Sequence, residues 1–578
     1  MPELSHTLTP YEQAAQVIEA WLDGPGADFA TRTRQPDPRR KAASWDIEAD
    51  HEVVGRQRVR FSITRDFPAT PPQVHFDKKL CLVLPHIEED GRFCHGVEAR
   101  PEDYDNPVQV AEEVVRRLEQ FWVDSKQSKW VEDEFHRERL SYWNRFCEQF
   151  RVASPLPAPY DVRVAFSPLT GVAEGKVSAY FRGSQKARSS LLVATSGDMD
   201  PHGFAVRHGW QVGTLVRGHA LFIPLPQDLR WAPGDWPRTL PELEELVARA
   251  TGQEQSLVHW MQAQKGDKPK PFLVVLAEKS TCYGYLVTPS PVPKLFAPSI
   301  VPVPIDRVDA DWALARDHQL TELQRRRGKR VLVLGCGSLG APVAELLARA
   351  GVGELHLLDK EFFGAENCAR HILGAADVGV SKAGALAKRL RQLVPGVNVK
   401  AYHALATDWV RQTCKPGTYD LVVDCTGESA VRVMLSRYRH ISLGRCPIVH
   451  GWLEPFCAAA HVVHLQPGDD WPLDDPTKAV NVAVWPETTQ VDLPACGAGF
   501  HPYGAADVWQ AAGFATERLL AGLDEKVVVS TVWSWVRSSA YFAGLPVDVR
   551  AGPLVPTSES AYDAKQMTRP FASLFRNA

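Results

Sequence analysis

The chain has 578 residues, 44% of them hydrophobic and 23% charged, which is ordinary globular composition with apolar material for several cores. Its formal net charge of -4 excludes a global electrostatic pull towards nucleic acid or acidic membranes. No apolar run approaches the roughly 20 residues that span a bilayer, and no basic patch with an apolar run opens the chain, so a cytoplasmic protein without a leader is expected. The eleven cysteines are odd in number and none has CxxC spacing, which argues against a disulfide framework or a four-cysteine zinc site.

In chain order, "PYEQAAQVIEAWL" (10–22) has apolar residues at helix spacing, and "SWDIEADHEVVGRQRVRFSI" (44–63) alternates like short strands. A proline-punctuated stretch, "FPATPPQVHF" (67–76), leads to "LPHIEEDGRFCHG" (84–96), which holds a lone cysteine, Cys94, between Phe93 and His95. "PVQVAEEVVRRLEQFW" and "WVEDEFHRERLSYWNRFCEQF" read as closing amphipathic helices, so the first region is α+β in order. Cys81 sits in an apolar run and reads as core.

Two proline-rich stretches, "SPLPAPYD" (154–161) and "TPSPVPKLFAPSIVPVPID" (288–306), suit linkers or edges and divide the chain into regions 1–153, 154–311 and 312–578. The middle region is mixed. "VRVAFSPL", "KVSAYFRG", "SSLLVATS" and "PFLVVLAEK" suggest strands and "TLPELEELVARATG" a helix. It has no motif that carries chemistry, and a docking or dimerisation role is the expectation for it.

The last region alternates β and α, which predicts a mostly parallel, doubly wound sheet of Rossmann type. "KRVLVLGCGSLG" runs from a strand into Gly335, Gly337 and Gly340 at G-x-G-x-x-G spacing, opening a helix. There the glycines let backbone amides approach phosphates at a positive helix end. Asp359 ends the next strand and suits ribose hydroxyls. Downstream stand Glu361, Asn367, Arg370, His371 and Lys382, and Asp424 at a later strand end. A dinucleotide site has no need of Arg370 and Lys382, whereas a triphosphate does, because they neutralise its oxygens in the transition state. Asp424 is the residue suited to Mg2+, a hard ion that prefers carboxylate and phosphate oxygen.

These residues carry a resemblance. Residues 312 to 525 look like the adenylation domain of ubiquitin-activating enzymes and of their bacterial relatives in thiamine and molybdopterin synthesis. The family pattern is G-x-G-x-x-G, D-x-D, N-L-x-R-Q, a Lys and a strand-end Asp. Here Glu361 replaces the second acid, and Asn367-Cys368-Ala369-Arg370-His371 ends in His instead of Gln. The resemblance implies ATP- and Mg2+-dependent adenylation of a protein C-terminal carboxylate, in a homodimer. "VDLPACGAGFHPYGAADVWQA" is similar to the segment around the thioester-forming cysteine of some eukaryotic activating enzymes. It places Cys496 before a helix that begins near Ala505, and a thiolate there would attack the acyl adenylate. Cys446 and Cys457 lie in buried-strand sequence and are weaker candidates.

Residues 10 to 150 resemble ubiquitin-conjugating enzymes, whose [YF]-P-x-x-P-P segment leads to H-P-N-[VI]-x-x-x-G-x-[VI]-C. Gly91 and Cys94 hold the expected spacing, and His86 stands where the family has its oxyanion-stabilising Asn. A histidine donor stabilises developing charge, or its ring serves as a base for the incoming amine, or it is structural. His95 is close enough in sequence to lower the Cys94 pKa.

Both activities on one chain, conjugating region first, resemble the fused enzymes of CBASS anti-phage operons. That comparison implies transfer of an acyl group from Cys496 to Cys94 and then to a target amine. The acyl donor is the C-terminus of a cyclic-oligonucleotide synthase or, with the same chemistry, a small ubiquitin-like modifier. A nicotinamide-dependent oxidoreductase explains the glycine turn but leaves Arg370, Lys382 and Asp424 idle. A sulfur-carrier adenylating enzyme leaves residues 10–150 unexplained, and a non-catalytic scaffold would not need Cys94.

Overall fold

A computed structural model of the chain describes residues 8–27, 29, 43–153, 160–181, 190–226, 229, 231–252, 256–264, 270–278, 281–288, 299–315, 320–492 and 499–575. It divides into two compact units, residues 1–201 with 212–306, and residues 202–211 with 307–578.

In the first unit, helix Pro10–Asp23 starts at a capping box between Thr9 and Glu12 and buries Ala14, Ile18 and Leu22, a stripe at i, i+4 and i+8. Strands Ala43–His51 and Gly55–Ile63 form an antiparallel hairpin, and Gln73–His75 adds a third strand. This sheet packs on helix Pro107–Asp124, whose Val110, Val114, Leu118 and Phe121 are buried in the same core as Phe61, Ile63, Ile87 and Phe93. Helices Ser128–Arg137 and Arg139–Ala153 follow.

The middle residues build an eight-stranded mixed sheet in this unit. The four strands expected from the sequence are present, as Tyr160–Ala165, Ala173–Phe181, Ser190–Ser196 and Phe272–Glu278, with helix Leu240–Thr251. Strands Thr214–Pro224, Thr281–Thr288, Ser299–Val303 and Ile305–Arg307 complete the sheet. The second proline-rich stretch is therefore partly structural. Ser299–Val303 is one edge of the sheet and Ile305–Arg307 the other, and proline is compatible with an edge because no central ladder needs its missing amide. Only Pro304 separates these two strands, so the edges meet and the sheet curls on itself around a core of Val162, Phe166, Phe222 and Leu273. Its other face carries Trp143, Trp231, Trp236, Tyr283 and Tyr285, all buried. Trp143, from helix Arg139–Ala153, donates its Nε1–H to the Val303 carbonyl at 3.2 Å.

The second unit is an α/β sheet in the order Asn398–His403, Glu354–Asp359, Arg330–Leu334, Leu421–Asp424, Ile448–Leu453, Ala459–Leu465, Thr531–Arg537, Ala564–Pro570. The first five strands are parallel and the last three antiparallel. The central parallel strands Arg330–Leu334, Glu354–Asp359 and Leu421–Asp424 are buried on both faces, as their near-continuous Val/Leu runs require. The chain's tail is a strand on the sheet's antiparallel edge, and helix Ala505–Leu523 starts where the sequence placed it. Among the described residues no helix is long and apolar enough to cross a membrane.

Trp143 is fully buried against five aromatic rings, so Trp143→Ala is expected to destabilise the first unit by about 3–5 kcal/mol. Denaturant unfolding of the full chain measures this, and a change under 1 kcal/mol would refute the packing role.

Candidate functional site

Two sites, one in each unit, carry the residues that the sequence singled out. In the first, the segment 86–94 is a loop pinned to the sheet. Phe93 N–H donates to the Val74 carbonyl at 2.7 Å and Phe76 N–H to that of Gly91 at 2.8 Å. Cys94 N–H donates to the His86 carbonyl at 2.8 Å, so the two candidate residues are backbone neighbours across the loop. Cys94 is exposed and opens on a cleft of about 330 Å³ that His86, Phe121, Trp130, Glu134 and Glu138 also line. Of the ten described cysteines only Cys94 and Cys368 are exposed. Burial pushes the Cys81 thiol up to about 11 and those of Cys446 and Cys457 up to about 12, which makes them poor nucleophiles.

His86 has φ +60°, a left-handed conformation uncommon for a residue other than glycine. Its amide donates to the Tyr142 hydroxyl at 2.8 Å, and Tyr142 is fully buried. Its ring Nε2 lies 3.0 Å from Glu134 Oε2, and its Nδ1 lies 3.7 Å from Glu138 Oε2. Glu134 also pairs with Arg137. The sequence reading missed Glu134, Glu138 and Tyr142. Their i, i+4, i+8 spacing on the closing helices was the available signal.

The His95 ring is tied to the backbone at both nitrogens. Its Nε2 donates to the Pro72 carbonyl at 3.0 Å and its Nδ1 accepts from Val97 N–H at 3.1 Å. The Val97 bond requires the neutral ring, and burial lowers its pKa, against the opposing effect of the Pro72 bond.

In the second unit the glycine turn follows strand Arg330–Leu334. Gly335 has φ +84°, and a Cβ there would lie 2.8 Å from the Cys425 carbonyl carbon. A Cβ on Gly340 would lie 1.9 Å from the Gly335 oxygen, so the helix start closes directly on the turn. A Cβ on Gly337 would meet nothing within 4 Å, and Gly337 lines a cleft with Asp359, Lys360, Glu361 and Thr426. Two glycines thus shape the turn, and the middle one leaves its backbone open to a ligand.

Asp359 holds this turn. Its carboxylate accepts from Cys336 N–H and Glu361 N–H, both at 2.7 Å, while burial raises its pKa. His371, at the departure from the family pattern, braces the same turn. Its Nε2 donates to the Cys336 carbonyl at 2.7 Å and its Nδ1 accepts from Leu373 N–H at 3.1 Å. Burial lowers its pKa to about 4.

Lys382, buried at the first turn of helix Lys382–Leu393, donates to Glu361 Oε2 at 2.5 Å. Asn367 Oδ1 accepts from Gly364 N–H at 3.1 Å. Asp424 is 1% exposed. Its Oδ1 accepts from the Thr426 amide at 3.0 Å and hydroxyl at 2.7 Å, and its Oδ2 lies 2.8 Å from His450 Nδ1. Arg370 lies over the rings of Phe500, at 4.6 Å, and Tyr503, at 5.5 Å. Those rings follow the segment that carries Cys496. Cys496 itself lies outside the described residues, between strands Val491–Asp492 and Gly499–Phe500, which pair with each other. The sequence reading also missed Thr426 and His450, the partners of Asp424.

Comparison with known proteins agrees with this pairing of sites. Residues 310–477 match the model of the ThiF family. Residues 32–152 match that of prokaryotic E2 family B. "Adenylyltransferase and sulfurtransferase MOCS3" of Mus musculus is 44% identical over 108 residues, covering 18% of this chain and 23% of that protein. "ATP-dependent ubiquitin transferase-like protein Cap2" of Pseudomonas aeruginosa (strain BWHPSA011 / Pa011) is 33% identical over 136 residues, covering 23% and 24%. The chain thus spans about a quarter of the length of the curated relatives it matches. A crystal structure of E. coli tRNA N6-threonylcarbamoyladenosine dehydratase, TcdA, in complex with AMP aligns at 20% identity and TM-score 0.28, covering 37% of this chain and 93% of that one.

His371 gives this site a pH dependence. The folded ring has a pKa of about 4 and the unfolded ring one near 6.5, so between these values the unfolded state binds more protons. Its stability contribution is complete above pH 6.5 and is lost as pH falls towards 4. His371→Gln retains a donor for Cys336 and an acceptor for Leu373 without titrating. The stability lost between pH 7 and pH 5 is expected to shrink by about 2 kcal/mol in this variant, measured by denaturant unfolding of the full chain. An unchanged pH dependence would refute the assignment.

Proposed function

We propose that this chain, in which a ThiF family domain and a prokaryotic E2 family B domain share one polypeptide, activates a protein C-terminus with ATP and ligates it to a target amine. The observation that supports this most directly is the coexistence of an exposed cysteine in an E2-type cleft with a glycine turn open to phosphate on the same chain. The carboxylate attacks the α-phosphorus of ATP, pyrophosphate leaves, and an acyl adenylate results. Gly337 and its neighbours present backbone amides to the phosphates, Asp359 and Glu361 line the nucleotide cleft, and Asn367 holds the loop that carries Arg370. Arg370 and Lys382 offset phosphate charge, once Lys382 exchanges Glu361 for the nucleotide.

Asp424 fits magnesium by its acceptor count. A carboxylate has about four acceptor positions, of which Thr426 takes two and His450 one, leaving one on Oδ2. The ion, when bound, neutralises phosphate charge.

Cys496 then takes the acyl group from the adenylate as a thioester, Cys94 takes it by transthioesterification, and the target amine receives it as an amide. The thioesters keep most of the activation and split one difficult step into easier ones. A shared chain raises the effective concentration of one thiol at the other. The Cap2 resemblance supports a role in CBASS anti-phage defence, with a cyclic-oligonucleotide synthase as the acyl donor. A cytoplasmic homodimer acting on protein, without nucleic acid or membrane, completes this reading.

Incubation with ATP, Mg2+ and a candidate donor protein is expected to give an adduct by intact mass that thiols release. Cys496→Ala should abolish it, and Cys94→Ala should leave it on Cys496 while preventing ligation. An adduct that forms normally in Cys496→Ala would rule out the two-cysteine relay.

A further inference from the structure

The sequence left His86 three roles, and the geometry around its ring separates them. The carboxylate of Glu134 accepts hydrogen bonds and does not donate them, so the 3.0 Å contact puts the ring proton on Nε2. Among the described residues Nδ1 has no hydrogen-bond partner, and the nearest carboxylate, Glu138, lies 3.7 Å away. Glu138 is 38% exposed on the cleft side, whereas Glu134 is 11% exposed. A lone pair and a carboxylate therefore face one gap from two sides, at a spacing that suits an N–H donor which bridges them.

We infer that His86 is the base that takes a proton from an alkylammonium acceptor of lysine type, with Glu134 fixing its tautomer and Glu138 holding the ammonium. This rests on the reading that Cys94 carries a thioester. Glu134 is a positioning residue, because it reaches the acceptor only through the ring. The resting ring has no N–H to spare for an oxyanion, because its one N–H is committed to Glu134. Trp130, 6.1 Å from the His86 ring between centroids, offers an apolar face along which the acceptor's methylene chain lies. A hydroxyl acceptor would carry no charge for Glu138 to hold.

The step balances. The ammonium gives one proton to His86 Nδ1, and the amine nitrogen bonds to the thioester carbon. The tetrahedral intermediate collapses with cleavage of the C–S bond, and the leaving thiolate of Cys94 takes a second proton from the nitrogen. The imidazolium returns its proton to water. The charged groups that face this ring are Glu134, Arg137 and Glu138 from the closing helices and Arg117 and Asp124 from helix Pro107–Asp124. The neutral His95 is tied to Pro72 and Val97.

The test loads Cys94 chemically, which makes it independent of ATP. The full chain carrying Cys368→Ser and Cys496→Ser is acylated with N-acetylglycine benzyl thioester, since the other described cysteines are buried apart from the half-buried Cys425, whose thiol burial raises far above neutral. Discharge onto free lysine and onto hydroxylamine, which is neutral at pH 7, is followed by intact mass. His86→Asn is expected to slow lysine discharge ~100-fold and to leave hydroxylamine discharge within about threefold. Glu138→Gln is expected to raise the half-saturating lysine concentration about fivefold, the scale of a partly exposed ion pair, with the limiting rate retained. Glu134→Gln can still accept from Nε2–H but lacks the charge, so its pH–rate profile should move to lower pH, a readout that loss of packing would not give.

Wild-type lysine discharge in His86→Asn would make the ring an oxyanion donor and overturn the inference. Equal effects of Glu138→Gln on both nucleophiles would overturn the ammonium site. Because these three side chains also have the atoms to hold a metal ion, lysine discharge that requires zinc and is lost to a chelator would overturn it as well. If ATP fails to load Cys94 while the chemically loaded variants behave as stated, the relay falls and this inference stands. If ATP loads Cys94 and every variant discharges at the wild-type rate, the relay stands and this inference falls.

Discussion

The cysteine cleft depends on one hydroxyl. Tyr142 accepts the amide of His86 and so stabilises a backbone conformation that a histidine rarely adopts. The carbonyl of the same residue accepts the Cys94 amide, so the turn sets where the cysteine sits. Tyr142 is itself immobilised, being fully buried and edge-on to Phe135 at 4.8 Å. Its neighbour Trp143 packs on the middle sheet and bonds to Val303. The middle region, which has no catalytic signal of its own, thereby serves as the foundation under the helix that shapes the cleft. A conjugating fold whose closing helix lacked this backing would have to hold the His86 turn by local bonds alone.

The second site solves the same problem with the opposite means. There the turn is shaped by residues without side chains, and buried polar groups fix it from behind. Asp359 and His371 both bond to the backbone of Cys336, one through its amide and the other through its carbonyl. Each is buried at a cost to its charged form, which the hydrogen bonds offset only in part for Asp359 and which His371 avoids by staying neutral. A histidine at the family's glutamine position is therefore compatible with the turn, because a neutral ring offers the same donor and acceptor pair as an amide.

Much of this was legible in the sequence where spacing alone decides the outcome. The G-x-G-x-x-G run, the alternation of strands and helices after residue 329, and the start of helix Ala505–Leu523 were readable because local sterics and periodicity fix them. Cys94 was legible through its spacing from Gly91 and the proline turn. The partners of His86 were not. Glu134 and Glu138 sit on amphipathic helices where a charged stripe reads as a solvated face, and Tyr142 reads as core. What gives these residues a role is a contact with a residue 48 to 56 positions away, which periodicity does not report. The second proline-rich stretch left linker and edge both open because proline marks either, and only the ladder distinguishes them. The bonds of the His95 ring to Pro72 and Val97 were illegible for a similar reason, since sequence adjacency does not set the direction of a ring.

Exposure and burial set the described cysteines apart from one another. Most described cysteines are buried in surroundings that disfavour a thiolate, so few of them offer a reactive thiol. Cys368 is also exposed, whereas Cys94 shares its cleft with His86. A thioester on Cys94 also needs an acceptor to arrive in competition with water. Placing the bound carboxylate, Glu134, inside and the more exposed one, Glu138, at the mouth makes that competition unequal, because water gains nothing from a negative charge that an ammonium needs. The same arrangement would let His86, in the proposed role of base, remain in place between turnovers, since its tautomer is set by a buried partner and not by the substrate.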